Sequence, residues 1–213
     1  MNNQLGAIAL SILLTLPGAA TAAIVQNGSF ENPLNTWANT NSNYMAVATG
    51  GTAITGWSVV DASTRGVAWA KSPTNDGFSP FDGAYFVDLS GFGNEAGPLA
   101  KLQQTLQNLI AGETYAVGID YWGEGTTLSI DGNQIAGSGA ASNGWTHLST
   151  TFQAAGTQAL LSVGRIGGTS AVAFVDNLTV SGREAGGGNN VPEPGSAVLV
   201  VAALAALRLS QRR

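Results

Sequence analysis

Cysteine is absent from this chain of 213 residues, and charged residues make up only 10% of it. Without cysteine there can be no disulfide and no thiolate chemistry, so a hydrophobic core must hold the fold, with or without a hard metal ion. Histidine occurs once, as His147, and no Gly-x-Ser-x-Gly motif is present to supply the nucleophile of a Ser-His-Asp hydrolase. We therefore interpret His147 as a surface residue of a strand.

Basic residues are scarce in the body of the chain. Residues 23–191 contain twelve acidic and five basic residues, which gives a formal charge of −7. A protein that binds nucleic acid needs a basic surface, so this function class is excluded. The same charge disfavours an anionic lipid surface.

The amino-terminal residues are almost continuously apolar from Leu5 to Leu16, and Ala20-Thr21-Ala22 supplies the small residues that signal peptidase requires. We predict a signal peptide over residues 1–22, cleaved between Ala22 and Ala23. Because no Lys or Arg precedes the apolar run, a buried N-terminal helix is the alternative.

The carboxyl-terminal apolar run, Gly195–Leu207, has 13 uncharged residues, whereas about 20 are needed to span a bilayer. Arg208, Arg212 and Arg213 follow it, and cationic residues prefer the cytoplasmic side of a membrane segment. This pattern predicts a short transmembrane helix whose preceding domain faces outward, at the cell envelope, at the cell surface or outside the cell.

Val191-Pro192-Glu193-Pro194, the apolar run and the closing arginines stand in the order of a known sorting tag. Residues 191–213 resemble the PEP-CTERM signal of Gram-negative bacteria that make extracellular polysaccharide. The resemblance implies recognition and processing by an exosortase-type enzyme, with transient membrane insertion of the tail. A permanent single-span anchor is the alternative.

Residues 23–181 show short alternating or β-rich runs separated by Gly, Asn, Asp and Pro, which is typical of an all-β sandwich. Residues 182–190 are glycine-rich and are interpreted as a flexible linker. The predicted strands are Ile54–Val60, Gly66–Ala70, Ala84–Ser90, Ala100–Leu106, Thr114–Trp122, Thr126–Ile130, Thr146–Phe152, Ala159–Val163 and Ala171–Val180.

Two of these runs carry more detailed predictions. Asp131-Gly132 lies between two β-compatible runs and predicts a hairpin. In Thr114–Trp122, the two-residue period places Tyr115, Val117, Ile119 and Tyr121 on one face, which we predict to be buried.

Asp176 stands where an apolar residue is expected. Alternation along Ala171–Val180 places Val172, Phe174, Leu178 and Val180 inward, and Asp176 falls in the same series. A buried carboxylate is costly unless it is paired or binds a metal. Near the other end, Glu31 follows the large apolar residue Phe30, which places a second carboxylate beside an apolar anchor. Together with backbone carbonyls, Glu31 and Asp176 could hold Ca²⁺ between the first and last strands. The alternative is a β-bulge, or hydrogen bonds from neighbouring backbone N–H groups.

A series of motifs runs through the chain in a recognisable order: Gln26-Asn27-Gly28-Ser29-Phe30-Glu31, Ala53-Ile54-Thr55-Gly56-Trp57, Asp82 to Gly91 (DGAYFVDLSG), Gln103-Gln104-Thr105-Leu106, Ala111-Gly112-Glu113-Thr114-Tyr115, Gly144-Trp145-Thr146 with Phe152, and Val175-Asp176-Asn177-Leu178. In this order they resemble the domain of unknown function 642 family. That resemblance implies a galactose-binding-like jelly roll, of a kind associated with polysaccharide in plant cell walls. The chain departs from the family in lacking cysteine, and the match is looser from Tyr121 onward.

More distantly, the opening Asn-Gly-x-Phe-Glu and closing Val-Asp-Asn motifs resemble bacterial carbohydrate-binding modules with the same jelly roll. The resemblance implies a structural calcium ion held by Glu31 and Asp176. By the same analogy the Ser29 carbonyl is a further ligand, and Asp82 is another candidate.

Carbohydrate binding uses aromatic rings as flat apolar platforms, with amide and carboxylate groups bonding the sugar hydroxyls. Trp122 alternates to the face opposite Tyr121, together with Asp120, so we predict these two as platform and polar partner. Trp69 is the second predicted platform. Structural packing is the alternative for both tryptophans. Polar loops over residues 72–82 and 90–98 are further places for a ligand.

The sequence thus predicts an exported, non-catalytic protein whose sandwich binds a polysaccharide. A structural protein of an extracellular matrix that associates with itself is the alternative. A glycoside hydrolase would need two carboxyls facing each other across a cleft, and Asp82, Asp88, Asp120 and Glu124 are its candidates.

Overall fold

The computed structural model describes residues 24–32, 37–60, 66–91, 100–166 and 172–183. The predicted signal peptide with its cleavage point at Ala22 and Ala23, residues 184–190 of the linker, and the sorting signal of residues 191–213 lie outside these ranges. In the part of the chain that is described, no helix has the length and apolar character that a membrane crossing requires.

Eleven strands form two antiparallel sheets in the described ranges. The first sheet has six strands, in the order β1 (Tyr44–Val47), β3 (Val67–Lys71), β4 (Tyr85–Asp88), β11 (Ala173–Ser181), β6 (Thr114–Gly123) and β9 (Ala141–Gln153). The second has five strands, in the order β2 (Ser58–Val60), β5 (Lys101–Leu106), β10 (Ala159–Arg165), β7 (Thr126–Ile130) and β8 (Asn133–Gly137). From β5 onward the chain crosses repeatedly between the sheets, which confirms the predicted all-β jelly-roll sandwich.

The core lies between the two sheets and follows from the alternation of the strands. In β6, Tyr115, Val117, Ile119 and Tyr121 are all buried, so the predicted inner face is confirmed. Leucines and valines of β5, β7 and β10 pack against them from the other sheet. Each strand thus contributes one apolar face to a continuous interior.

All nine predicted strands overlap an observed strand, and one of them is much shorter than predicted. Residues 54–57 form a turn, in which the Trp57 N–H donates to the Ile54 carbonyl at 2.9 Å and Gly56 has φ 82°. The strand therefore begins only at Ser58. The short edge strand β1 was not predicted.

The predicted hairpin is present between β7 and β8. Asp131 (φ 50°) and Gly132 (φ 81°) are both left-handed, as a two-residue turn with the twist of the sheet requires. The Asp131 carboxylate also accepts the Leu160 N–H at 2.8 Å, which joins the turn to β10.

The interpretation of β11 as one regular alternation was wrong. Its pairing with β6 shifts register between Asp176 and Thr179, and Asn177 has φ 48°. Phe174 belongs to a cluster on the outer face of the six-stranded sheet, whereas Leu178 lies in the core between the sheets. A β-bulge after Asp176 thus reverses the alternation of β11: before it, Phe174 and Asp176 face outward, and after it, Leu178 faces the core.

The segment before Glu31 is fixed against β11. The Leu178 N–H donates to the Gly28 carbonyl at 2.8 Å, and a Cβ atom on Gly28 would lie 1.9 Å from the Leu178 carbonyl oxygen. The Trp57 indole N–H donates to the Asn27 carbonyl, and Phe30 is fully buried. Glycine is therefore required at position 28 for the close approach that places Glu31.

Two residues assigned to the linker still contact the sandwich. The Tyr115 hydroxyl donates to the Arg183 carbonyl, and a Cβ atom on Gly182 would meet the Tyr115 ring. The packed structure thus extends through residue 183.

Candidate functional site

The two carboxylates predicted to bind calcium converge on one loop. The Glu31 Oε1 accepts the backbone N–H groups of Ala84 (2.8 Å) and Tyr85 (2.6 Å). The Asp176 Oδ2 accepts those of Phe81 (2.9 Å) and Asp82 (3.1 Å). The loop that precedes β4 therefore bridges the first described segment and the last strand.

Asp176 has no exposed surface. Its pKa is raised to about 7, mainly because burial desolvates the charged form and to a smaller extent because the Glu31 carboxylate lies nearby. The N–H groups of Asp82, Asn177 and Phe81 oppose this shift by stabilising the anion. Both features of the alternative interpretation, a bulge and backbone hydrogen bonds, are present at Asp176.

Glu31 and Asp176 supply some, but not all, of the oxygen ligands that a hard cation needs. Two carboxylates of like charge lie close together, and none of the ion pairs found among the described residues involves either of them. Within the same ranges no group of three or more His, Cys, Asp or Glu side chains gathers. A calcium ion here would therefore need backbone carbonyls or water to complete its oxygen ligands.

The two further calcium candidates are less clearly engaged. Asp82 is exposed, and its described contact with Asp176 is through its backbone N–H. Ser29 lies in the turn between Gly28 and Phe30, on the same segment as Glu31. The calcium set of Glu31, Asp176, Ser29 and Asp82 stays a prediction.

Trp69 was wrongly predicted as an exposed platform. In β3 the inward positions are Val67 and Trp69, and the indole is fully buried in the core between the sheets. Its ring packs against that of Tyr85, with centroids 5.5 Å apart. A ligand in solution cannot reach a side chain in this position.

Asp120 is on the predicted outer face but is not available at the surface, because it is only 3% exposed. The Asp120 Oδ1 lies 3.0 Å from the His147 Nδ1, and the Asn177 side-chain amide donates to Oδ2 at 2.8 Å. These contacts join β6, β9 and β11. We correct the assignment of Asp120 from a sugar partner to a side chain that fixes the outer face of the sheet.

Trp122 lies on the outer face of the six-stranded sheet, as predicted, and is half-buried. It belongs to a group of aromatic rings that we call the outer aromatic surface, formed by Phe78, Phe81, Trp122 and Trp145. The buried side chains of Phe86 and Phe174 lie beneath it. An aromatic cluster on this face is unusual because the outer face of a sandwich sheet is normally polar.

Neighbouring rings of the outer aromatic surface meet at steep angles. Trp122 contacts Phe78 at 5.3 Å and Trp145 at 6.2 Å between centroids. Trp145 contacts Phe81 at 6.3 Å, and its indole N–H donates to the Ser79 carbonyl at 3.0 Å. This edge-to-face packing holds the rings in fixed positions.

Phe81 is the most exposed of these rings, with 49% of its surface accessible. The sequence analysis selected its loop as a place for a ligand but assigned neither Phe81 nor Trp145 as a sugar platform. The pairing of β9 with β6 brings Trp145 there: it precedes Thr146, which pairs with Tyr121, and its ring contacts that of Trp122.

The outer face of the five-stranded sheet has a different character. Ser58, Gln103, Ser162, Ser129 and Gln134 stand side by side in one row across all five strands. A groove of ≈ 350 Å³ lies at one end of this row, lined by Ser58, Gln103, Thr105 and the exposed Leu160 among others. Among the described residues that line the groove, none offers an accessible aromatic ring, since Trp57 is 2% exposed.

The carboxylates considered for glycoside hydrolysis are mostly engaged inside the protein. Glu124 forms a buried ion pair with Arg165 at 2.9 Å. Asp88 is buried and accepts hydrogen bonds from the Ser90 hydroxyl and backbone, and its burial raises its pKa. Asp120 has the contacts described above, which leaves Asp82 as the exposed member of the four.

Comparison with known proteins gives a relative in sequence but no matching family model. No family model matches the chain, so the resemblance to the domain of unknown function 642 family remains a resemblance. Halomucin from Haloquadratum walsbyi is 31% identical over 166 residues, which cover 74% of this chain. The chain spans about 2% of the length of that relative.

Several solved structures with a similar fold are carbohydrate-binding modules. TmCBM61, solved in complex with β-1,4-galactotriose, is 18% identical, with a TM-score of 0.49 over 76% of this chain and 100% of that one. The CBM22-1 xylan-binding domain of Paenibacillus barcinonensis Xyn10C is 14% identical, with a TM-score of 0.43 over 67% and 96%. These likenesses concern the fold alone.

Proposed function

We propose that this sandwich is a non-catalytic carbohydrate-binding module and that the outer aromatic surface is its sugar platform. The observation that carries the proposal is the exposure of Phe81, 49% accessible, beside the half-buried Trp122 and Trp145. Rings held at fixed positions offer apolar faces to the C–H groups of a pyranose without a large loss of side-chain freedom on binding.

Polar groups border the rings on the same loop. Asn75, Asp76, Ser79 and Asp82 are all exposed in the segment that carries Phe78 and Phe81. Their amide, hydroxyl and carboxylate groups are the types that bond sugar hydroxyls. Because the chain has a net charge of −5, we infer that the ligand is a neutral polysaccharide rather than a polyanionic one.

Calcium is proposed as a structural ion of this module. Bound between Glu31 and Asp176, it would neutralise two close carboxylates and join the first described segment to β11. The loop that donates N–H groups to both carboxylates is also the loop that carries Phe81. An ion at this position would therefore stabilise the sugar platform without contacting the sugar.

Export is part of the same proposal. The apolar amino terminus, the Pro-Glu-Pro motif and the terminal arginines support secretion, followed by sorting through an exosortase-type enzyme. The mature module would then be presented at the cell surface or in the extracellular matrix, where a polysaccharide ligand is available.

A glycan array probed with the purified chain tests the function directly. We expect binding to neutral glycans, weak or no binding to sulfated and uronic-acid glycans, and loss of the signal in the Phe81→Ala variant. Binding that is confined to polyanionic glycans, or binding to no glycan at all, would overturn the proposal.

A further inference from the structure

The four sheet edges of this sandwich differ greatly in length. In the described ranges, the edge strands β1, β2 and β8 have four, three and five residues, whereas β9 has 13. Short edges are one way in which sandwich proteins avoid pairing with other chains. Among these four described edges, β9 alone is long.

The backbone donors on the free side of β9 can be identified from its ladder. Ala154, directly after the strand, donates its N–H to the Glu113 carbonyl at 2.9 Å, and Phe152 pairs with Tyr115 in the same register. Because the direction of the N–H group alternates along a strand, the N–H groups of His147, Ser149, Thr151 and Gln153 point away from β6. No backbone hydrogen bond joins these groups to another described segment.

The free edge also lacks the charged residues and prolines that commonly prevent pairing, although β8 lies beside β9 on the inner side, where the Thr150 hydroxyl donates to the Ile135 carbonyl at 3.5 Å. Residues 141–153 contain no Asp, Glu, Lys, Arg or Pro. The side chains of His147, Ser149 and Thr151 are exposed, and Thr is among the residues that favour strands. In a chain of net charge −5, an uncharged edge is where two copies meet with the least repulsion.

We propose that β9 pairs antiparallel with β9 of a second copy of this chain, about a two-fold axis. A two-fold contact uses the same edge on both copies, so it closes as a dimer and joins the two six-stranded sheets into one. The segment that pairs is centred on Ser149 and includes residues 147–151, about 17 Å at the usual rise of a strand, so that outward N–H groups of the two copies oppose each other. The pairing stops before Gly144, where φ is 121° and the register with β6 shifts.

The dimer would also bring two outer aromatic surfaces together. Trp145 lies on β9, and the two-fold axis of an antiparallel pairing is perpendicular to the sheet, so the merged sheet carries both copies of the surface on the same face, one on each side of the axis. A polymer or a network of polymers could then be held by two modules at once, which raises the apparent affinity without any new contact to sugar. The self-association itself does not rest on carbohydrate binding.

Sedimentation of the full chain tests the pairing with two variants of one residue. Thr151→Pro removes an outward N–H without removing a ladder bond to β6, whereas Thr151→Ala retains it. We expect a dimer for the unchanged chain and for Thr151→Ala, and roughly tenfold or greater weakening for Thr151→Pro. A monomer in all three, or equal association in all three, would overturn the proposal. If the copies instead associated through the apolar runs at the two ends of the chain, Thr151→Pro and Thr151→Ala would associate equally.

Cysteine cross-linking supplies a second test that does not depend on the proline variant. Because the chain has no native cysteine, Ser149→Cys introduces a single thiol on the β9 edge, and Ser129→Cys introduces one on the outer face of the five-stranded sheet. We expect mild oxidation to give disulfide-linked dimers with Ser149→Cys and not with Ser129→Cys. Equal cross-linking of the two variants, or none with Ser149→Cys, contradicts a β9 interface.

Discussion

The Asp176 carboxylate is wholly buried and receives three backbone N–H groups, from Phe81, Asp82 and Asn177. Its burial and the nearby Glu31 raise its pKa to about 7. In the absence of a cation, the folded protein therefore retains a proton on Asp176 at pH values where the unfolded chain has released it. This residue links the stability of the fold to both pH and calcium.

The pH dependence has a definite sign. Between about pH 4 and pH 7 the folded state binds the proton more tightly than the unfolded state, so the free energy of unfolding falls as the pH rises, by up to ~4 kcal/mol. Urea unfolding in the presence of chelator, at intervals across this range, measures the slope. The Asp176→Asn variant should lack this contribution. A slope that is identical in the variant would contradict the assignment to Asp176.

Calcium should offset the loss of stability that ionisation of Asp176 causes. A divalent cation between Glu31 and Asp176 favours both anions, so we expect Ca²⁺ at pH 7 to raise the Tm of the unchanged chain relative to chelator. Asp176→Asn should show a much smaller rise. Glu113→Gln is a matched control because Glu113 is partly exposed and remote from the pair, and it should keep the full rise. An unchanged Tm on adding Ca²⁺ to the unchanged chain would refute the calcium proposal.

Single residues could be assigned from the sequence only where their chemistry was distinctive. Glu31 and Asp176 were found because acids are costly beside apolar residues, and the structure brings them to one loop. Trp69 and Asp120 could not be assigned, because alternation shows which side chains share a face but not which face is covered. Phe81 could not be found, since its exposure depends on how a loop lies on the sheet.

At the scale of elements, the alternation of apolar and polar residues predicted most strands. It failed where the backbone departs from a regular strand. The inner face of β6 was predicted because four apolar residues recur with period two. In β11, the same rule gave the wrong face for Phe174 and Asp176, since a bulge at Asn177 changes the phase. A bulge adds one residue to one strand, and the sequence of that strand alone does not show it.

The β7–β8 turn gives a prediction for an element. Gly132 has φ 81°, and a Cβ atom at this position would meet only open space, so Gly132→Ala should lower the free energy of unfolding by about 1 kcal/mol through backbone strain alone. Gly139 also has open space but no left-handed φ, so Gly139→Ala should be neutral or slightly stabilising. Chemical denaturation of both variants makes the comparison. An equal loss in the two would mean that the left-handed turn is not what glycine provides.

At the scale of the whole molecule, the two sheets carry different features on their outer faces and edges. The six-stranded sheet carries the outer aromatic surface, the carboxylate pair and the long β9 edge, whereas the outer face of the five-stranded sheet carries a row of hydroxyl and amide groups. The groove at the end of that row is the competing place for a sugar. Leu160 is exposed beside it, so the chain offers a matched apolar position on the opposite sheet.

The measurement that tests the central claim most directly is calorimetric titration of a neutral glycan into the Phe81→Ala and Leu160→Ala variants. Both changes remove an exposed apolar side chain, and neither residue lies in the buried core. If the outer aromatic surface is the sugar platform, Phe81→Ala weakens binding by roughly tenfold or more, and Leu160→Ala leaves it unchanged. Weaker binding in Leu160→Ala with full affinity in Phe81→Ala would contradict the account and place the sugar in the groove.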